Sequence, residues 1–199
     1  MADVGLQEMG VVLTAPEQEV TRTYYHQTAP ENVEAIIQGG FAREKTAGGN
    51  NGVEGPIRGV FLKETPELLP EESGIGQTQL EVTINPQAKV LDITNEDTST
   101  YAMSILNGVA VPKGDQNFAL AGWLERNGHA ELAEHYFEAI RRVFAYQNTE
   151  RLDQFWPEVE KVLNELGYKG VKFMDKMDKG EKPFPATVMF DPADISIKK

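Results

Sequence analysis

The stretch TYYHQT, residues 23–28, sets one histidine among hydroxyl and amide side chains at the end of an apolar alternation. A histidine there can hold a hydroxyl or pass a proton, and it can equally be a satisfied structural residue. The other two histidines, His129 and His135, are six apart. On one helix that spacing puts them on different faces, unlike the i, i+4 pair that grips zinc, so no metal site is expected. The glycine-rich run GGNNGVEG, 48–55, has no Lys-Ser/Thr after it and no strand feeding it, which excludes a phosphate-binding loop of the usual kind. EESGIG, 71–76, lacks the strand-to-helix elbow of a serine hydrolase. The pairs Glu71-Glu72 and Asp191/Asp194 read as a solvated surface and a turn rather than a glycosidase dyad. His26 is the residue left to explain.

Composition narrows the partners. The chain has 199 residues and a formal charge of −12, which argues against nucleic acid, because phosphate affinity needs clustered Lys and Arg. The same charge argues against an anionic membrane surface, and no apolar run approaches a span of about 20 residues. A protein partner, basic in character, is compatible with it. With no cysteine, disulfides, thiolate catalysis and cysteine zinc sites are excluded. The N-terminus lacks the basic region of a signal peptide, so a cytoplasmic address is the default; a secreted effector with an uncleaved signal would read the same way.

Elements must then position His26. Residues 1–19 are polar and non-periodic, a loose arm. A strand is expected at about Val20–His26. TAPENVEAIIQGGF follows as a helix, with Thr28 and Glu31 at capping-box spacing, Pro30 in the first turn, Val33, Ile36 and Ile37 on one face, and Gly39-Gly40 as the stop. Residues 43–58 form a long glycine-rich loop, a candidate lid. RGVFL is a short strand, and Thr65-Pro66-Glu67 starts a short helix. QTQLEVTI alternates with Leu80, Val82 and Ile84 on one face, and KVLDI is another strand. A helical block follows, about 98–166. In it Leu132, Tyr136, Ile140, Val143 and Phe144 form one stripe, and Pro157 opens the last helix. YKGVKFM and ATVMF close the chain as strands. The fold class is α+β, a single domain over 20–199 with the helical block inserted.

The order of these pieces resembles the ADP-ribosyltransferase-like superfamily in its His-Tyr-Glu branch, the diphtheria-toxin and poly-ADP-ribose-polymerase type. The resemblance rests on YYHQT running into PENVEAIIQGGF, then RGVFL, LGYKGVKF and ATVMFDPADISI, and it covers roughly 20–97 and 163–198. It implies a split β-sheet core, NAD as co-substrate and no metal. The activity it implies is a mono-ADP-ribosyltransferase, toxin- or effector-like, acting on a protein target.

By that resemblance His26 would hold a ribose hydroxyl, the backbone at Gln27 would clamp the nicotinamide amide, and Thr28 would steady the turn. Phe61 would stack on the nicotinamide ring, and Arg43 or Arg58 would sit near the diphosphate. Such a site must orient the ribose and stabilise the positive charge that develops as the glycosidic bond breaks. Two residues depart from the pattern. Gln27 stands where a glycine is usual, and the family's catalytic glutamate falls on Ala186. Glu181, five residues earlier, is the carboxylate that could reach in. A degenerate member acting as a protein-binding module, with the helical block as its surface, is the rival reading. An RNA-directed enzyme on the same fold is weaker, given the charge.

Overall fold

The computed structural model describes residues 22–42, 57–68, 76–98, 113–146, 152–175 and 182–198. The expected N-terminal arm, most of the 43–58 loop, Arg43 and Glu181 lie outside them. Seven strands form one mixed sheet: β1 Thr23–Thr28, β2 Val60–Lys63, β3 Thr78–Ile84, β4 Lys89–Asp92, β5 Tyr168–Asp175, β6 Phe184–Met189 and β7 Ile195–Ile197. Their spatial order is β4-β5-β6-β2-β1-β3-β7. Four helices accompany them: α1 Pro30–Gly39, α2 Gln116–Arg126, α3 Ala130–Tyr146 and α4 Leu152–Glu165. The protein is thus of the α+β class.

The sheet is covered on both faces, and side-chain alternation sorts the residues between them. Val60, Leu62, Leu80, Val82 and Met189 join Phe41 on one face, with Val33 and Ile36 of α1 packed against them. Leu91, Val171, Phe173, Ala186 and Val188 point the other way, into a larger core with Phe118, Leu124, Tyr136, Ile140, Val159 and Leu163 of the helices. Two covered faces explain why VFL and TVM read as continuous apolar runs rather than alternations. β4 and β5 run parallel. A parallel pair needs a crossover, and α2–α4 lie within that connection in sequence.

Several local expectations change. β1 does not stop at His26: it pairs with β3 in unbroken register from Thr23↔Thr83 to Thr28↔Thr78, so His26 is mid-strand. Thr28 is therefore held in the sheet, and the helix cap is Ala29, extended at φ −70°, with no side-chain cap bond. The capping box is absent because its first residue belongs to the strand. Pro30 does occupy the first turn, and Gly40, at φ 76°, ends the helix with its N–H on the Ile36 carbonyl at 2.8 Å. Ile37 is 52% exposed, so the apolar face of α1 is Val33 and Ile36 alone. Residues 65–68 are irregular rather than helical. Helix α4 begins five residues before Pro157, which lies inside it. Trp156, 2% exposed and edge-on to Phe190 with ring centroids 5.4 Å apart, anchors the turn ahead of the proline.

Candidate functional site

β1, β2 and β6, which carry His26, Phe61 and Ala186, are consecutive neighbours in the centre of the sheet. Tyr25 pairs with Lys63, and Lys63 with Ala186, so these three stand in one row across the strands. His26 is one residue off the row. Its Nδ1 lies 3.0 Å from the Phe61 carbonyl oxygen. A carbonyl can only accept, so Nδ1 carries the hydrogen, and Nε2 is the acceptor of the neutral ring. Burial lowers the His26 pKa from its ordinary value, partly offset by the Phe61 carbonyl.

The His26 ring packs edge-on against Phe41, centroids 4.8 Å apart, on the α1 face. Phe41 follows the glycine stop of α1, and that aromatic neighbour was not foreseen. The Phe61 ring points to the opposite face, 6.2 Å from Phe173. The structure therefore joins His26 to the Phe61 backbone and separates their rings. The reason is register: Tyr25 opposes Lys63, so Gln27, not His26, shares a face with Phe61.

Gln27 is buried, and its Nε2 donates to the Gly76 carbonyl at 2.6 Å. Gly76 sits so close to Ala29 that a Cβ there would come within 2.5 Å of the Ala29 backbone. Thr28 is buried, and its Oγ1 accepts from Asn32 Nδ2 at 3.5 Å, a weak contact at that length. Arg58 is half-buried, two residues ahead of β2. Ala186 is fully buried between Lys63 and Phe173. Glu64 is next in sequence to Lys63 but faces the other way. There Arg22 Nη2, at 2.5 Å, and Lys172 Nζ, at 2.7 Å, hold its carboxylate.

Lys63 was missed. It is 3% exposed, in the row with Ala186, and burial lowers its pKa despite the opposing field of Glu67. Its only warning in the sequence was a lysine directly continuing an apolar strand.

The helical block carries a groove of about 710 Å³ between the start of α3 and the end of α4, lined by His129, Leu132, His135, Glu158, Lys161 and Glu165 among others. His129, whose carbonyl accepts the Ala133 N–H at the start of α3, and His135 both line this groove. Among the described residues no group of His, Cys, Asp or Glu could hold a metal ion. No helix among them is long and apolar enough to cross a membrane.

The state of His26 has a measurable consequence. A histidine whose folded pKa is depressed contributes stability above the unfolded value, about 6.5, and loses it as pH falls below that towards the folded value. The melting temperature should therefore fall between pH 7 and pH 5 more steeply for the wild type than for His26→Gln. Superimposable pH curves for the two would show that some other group carries the dependence.

The chain matches no protein-family model, and no curated protein or solved structure matches it either. What the fold defines is a mixed α+β protein with a seven-stranded sheet clad on both faces by helices. A finer assignment has to come from the site.

Proposed function

We propose that this chain is an ADP-ribosyltransferase-like protein of the His-Tyr-Glu branch, which binds NAD as co-substrate and transfers a single ADP-ribose to a protein target. The observation that supports the reading most is the tie between His26 Nδ1 and the Phe61 carbonyl. It fixes the tautomer, so that Nε2 is the nitrogen able to accept from a ribose hydroxyl. It also joins two of the strands on which the resemblance rests, and the strand carrying ATVMFDP lies next to them. In this reading the backbone at Gln27 meets the nicotinamide amide, Thr28 steadies the turn, Arg58 serves the diphosphate, and Glu181 supplies the carboxylate.

Two observations favour the rival. Ala186 is buried and offers no carboxylate, and the Phe61 ring is spent on Phe173. A domain in which transfer has lapsed, and which acts by binding a protein, fits those two facts.

Calorimetry with NAD and with a non-hydrolysable analogue, followed by mass analysis of lysate proteins, separates the readings. Transfer predicts heat of binding and a mass gain on a target. Heat without a mass gain favours the binding module, and no heat at all ends the NAD reading. His26→Ala should weaken NAD by about 1–3 kcal/mol, the worth of one or two hydrogen bonds. Unchanged affinity in that variant would remove His26 from the site.

A further inference from the structure

The groove between α3 and α4 takes no part in the site around His26. Its helices pack on one face of the sheet, with Tyr136, Val159 and Leu163 in the core there. The His26 ring lies against Phe41, in the core of the other face. The floor of the groove is apolar, with Leu132 and Val162 half-buried against the helical core, and its rim is charged. Glu131 of α3 and Glu158 and Glu165 of α4 bring three exposed carboxylates, against a single lysine, Lys161, among the lining residues.

That negative charge is not neutralised within the two helices. Lys161 reaches Glu165 only at 3.9 Å, and an exposed pair of this kind is worth little. Arg141, further along α3, is engaged by Glu138 at 3.3 Å. Glu131 and Glu158 make no ion pair among the described residues. Glu131 has an ordinary use, since a carboxylate in the first turn of a helix suits the helix dipole. Glu165 has none. It is the last residue of α4, where the negative end of the dipole disfavours a carboxylate, and no basic residue stands in that turn. A cation held there would relieve the cost. Leu166, the next residue, is a large apolar side chain left 44% exposed, so acidic and apolar surface meet at this end. The volume of about 710 Å³ falls among sites of about 300–1,000 Å³ that hold compact ligands. Glu158 to Glu165 spans about 10 Å of helix, so the occupant is a short stretch of chain.

We propose that this groove docks a short basic segment of a protein partner, with lysine or arginine side chains on the carboxylates and an apolar side chain on Leu132 and Val162. The proposal rests on there being a protein partner, as both readings above have it, and not on NAD. A second copy of this chain suits the groove poorly, because at a charge of −12 two copies repel. The groove and His26 belong to opposite faces of the sheet, so the docked segment is held apart from His26. It anchors the partner at a place separate from any residue presented for modification.

Fluorescence anisotropy on the full chain tests this with three short labelled peptides. One sets lysines and arginines around two leucines, one has glutamate in place of every basic residue, and one has serine in place of leucine. The first should bind, less tightly as salt rises; the serine peptide should bind more weakly and the acidic one not at all. The triple variant Glu131→Gln, Glu158→Gln, Glu165→Gln should lose about 5- to 30-fold in affinity for the basic peptide. Glu31→Gln, Glu34→Gln, Glu67→Gln makes the same change in net charge elsewhere and should lose less than about 2-fold. All six side chains are exposed, so neither variant disturbs the core. A wild type that binds no basic peptide, or an equal loss in both variants, overturns the proposal. So does self-association of the wild type in sedimentation that the groove variant abolishes, since a second copy would then be the occupant. Calorimetry of the wild type with NAD keeps the two inferences apart. NAD binding without peptide binding overturns the groove alone, and peptide binding without NAD binding supports the groove and removes only the transferase reading.

Discussion

Gly59→Ala is expected to destabilise the protein by about 3–5 kcal/mol, a large share of the stability of an ordinary domain. Gly59 sits immediately before β2 at φ 150°, a conformation open to glycine and strained for any L side chain. A Cβ there would come 2.2 Å from the Met189 carbonyl oxygen and 2.7 Å from Val188 Cγ1. The first contact is with backbone, in the strand that pairs with β2, so relief requires β2 and β6 to separate. Gly167→Ala is the control. That glycine also has a positive φ, 83°, but nothing lies within 4 Å of its would-be Cβ, so only the conformational cost of about 1 kcal/mol applies. Urea unfolding of both variants checks the pair. A Gly59→Ala protein as stable as Gly167→Ala would mean that β2 and β6 are not packed this closely.

Phe173→Ala should cost about 3–5 kcal/mol, the usual range for a fully buried phenylalanine. Phe173 opposes Ala186 across the β5–β6 pair and meets the Phe61 ring edge-on. The small side chain at 186 and the large one at 173 are complementary in volume, so truncating the large one opens a cavity that its neighbours on the strands cannot fill. Phe61→Ala, at a half-buried position, should cost less, about 1–2 kcal/mol. The order of the two is the test. If Phe61→Ala proved the more damaging, Phe61 rather than Phe173 would be the anchor of this part of the core.

Much of the sheet could be read from local pattern. Leu80 and Val82 alternate into one face as expected, and both closing strands appear where YKGVKFM and ATVMF place them. The glycine stop of α1 was equally plain, since only an αL-tolerant residue suits it. What could not be read was everything that depends on register between strands. Alternation puts Phe61 opposite in direction to Val60 and Leu62, but whether it shares a face with His26 depends on Tyr25 meeting Lys63 across 38 residues of chain. The capping box failed for a related reason: Thr28 has the right chemistry for a cap, yet pairing with Thr78 keeps it in the strand. The start of α4 was hidden because Pro157 gives a stronger local signal than the Trp156 contact with Phe190, which only the folded sheet creates. Lys63 escaped notice because a lysine after VFL looks like a polar strand end, and its burial is imposed by strands far away in sequence.

The position of β6 between β5 and β2 also bears on how the chain comes off the ribosome. β1 can pair with β2 and β3 early, but one edge of β2 stays open until residues 184–189 have been made. β4 has no partner at all until residues 168–175 appear. A nascent chain released anywhere before about residue 168 would thus present unpaired strand edges on β2, β3 and β4, while its helices await the sheet they cover. Late, non-local pairing of this kind slows folding and exposes edges to aggregation. Arrested chains ending after α4 should therefore remain protease-sensitive and bind chaperones, and resistance should arise only when the last fifth of the protein has left the exit tunnel.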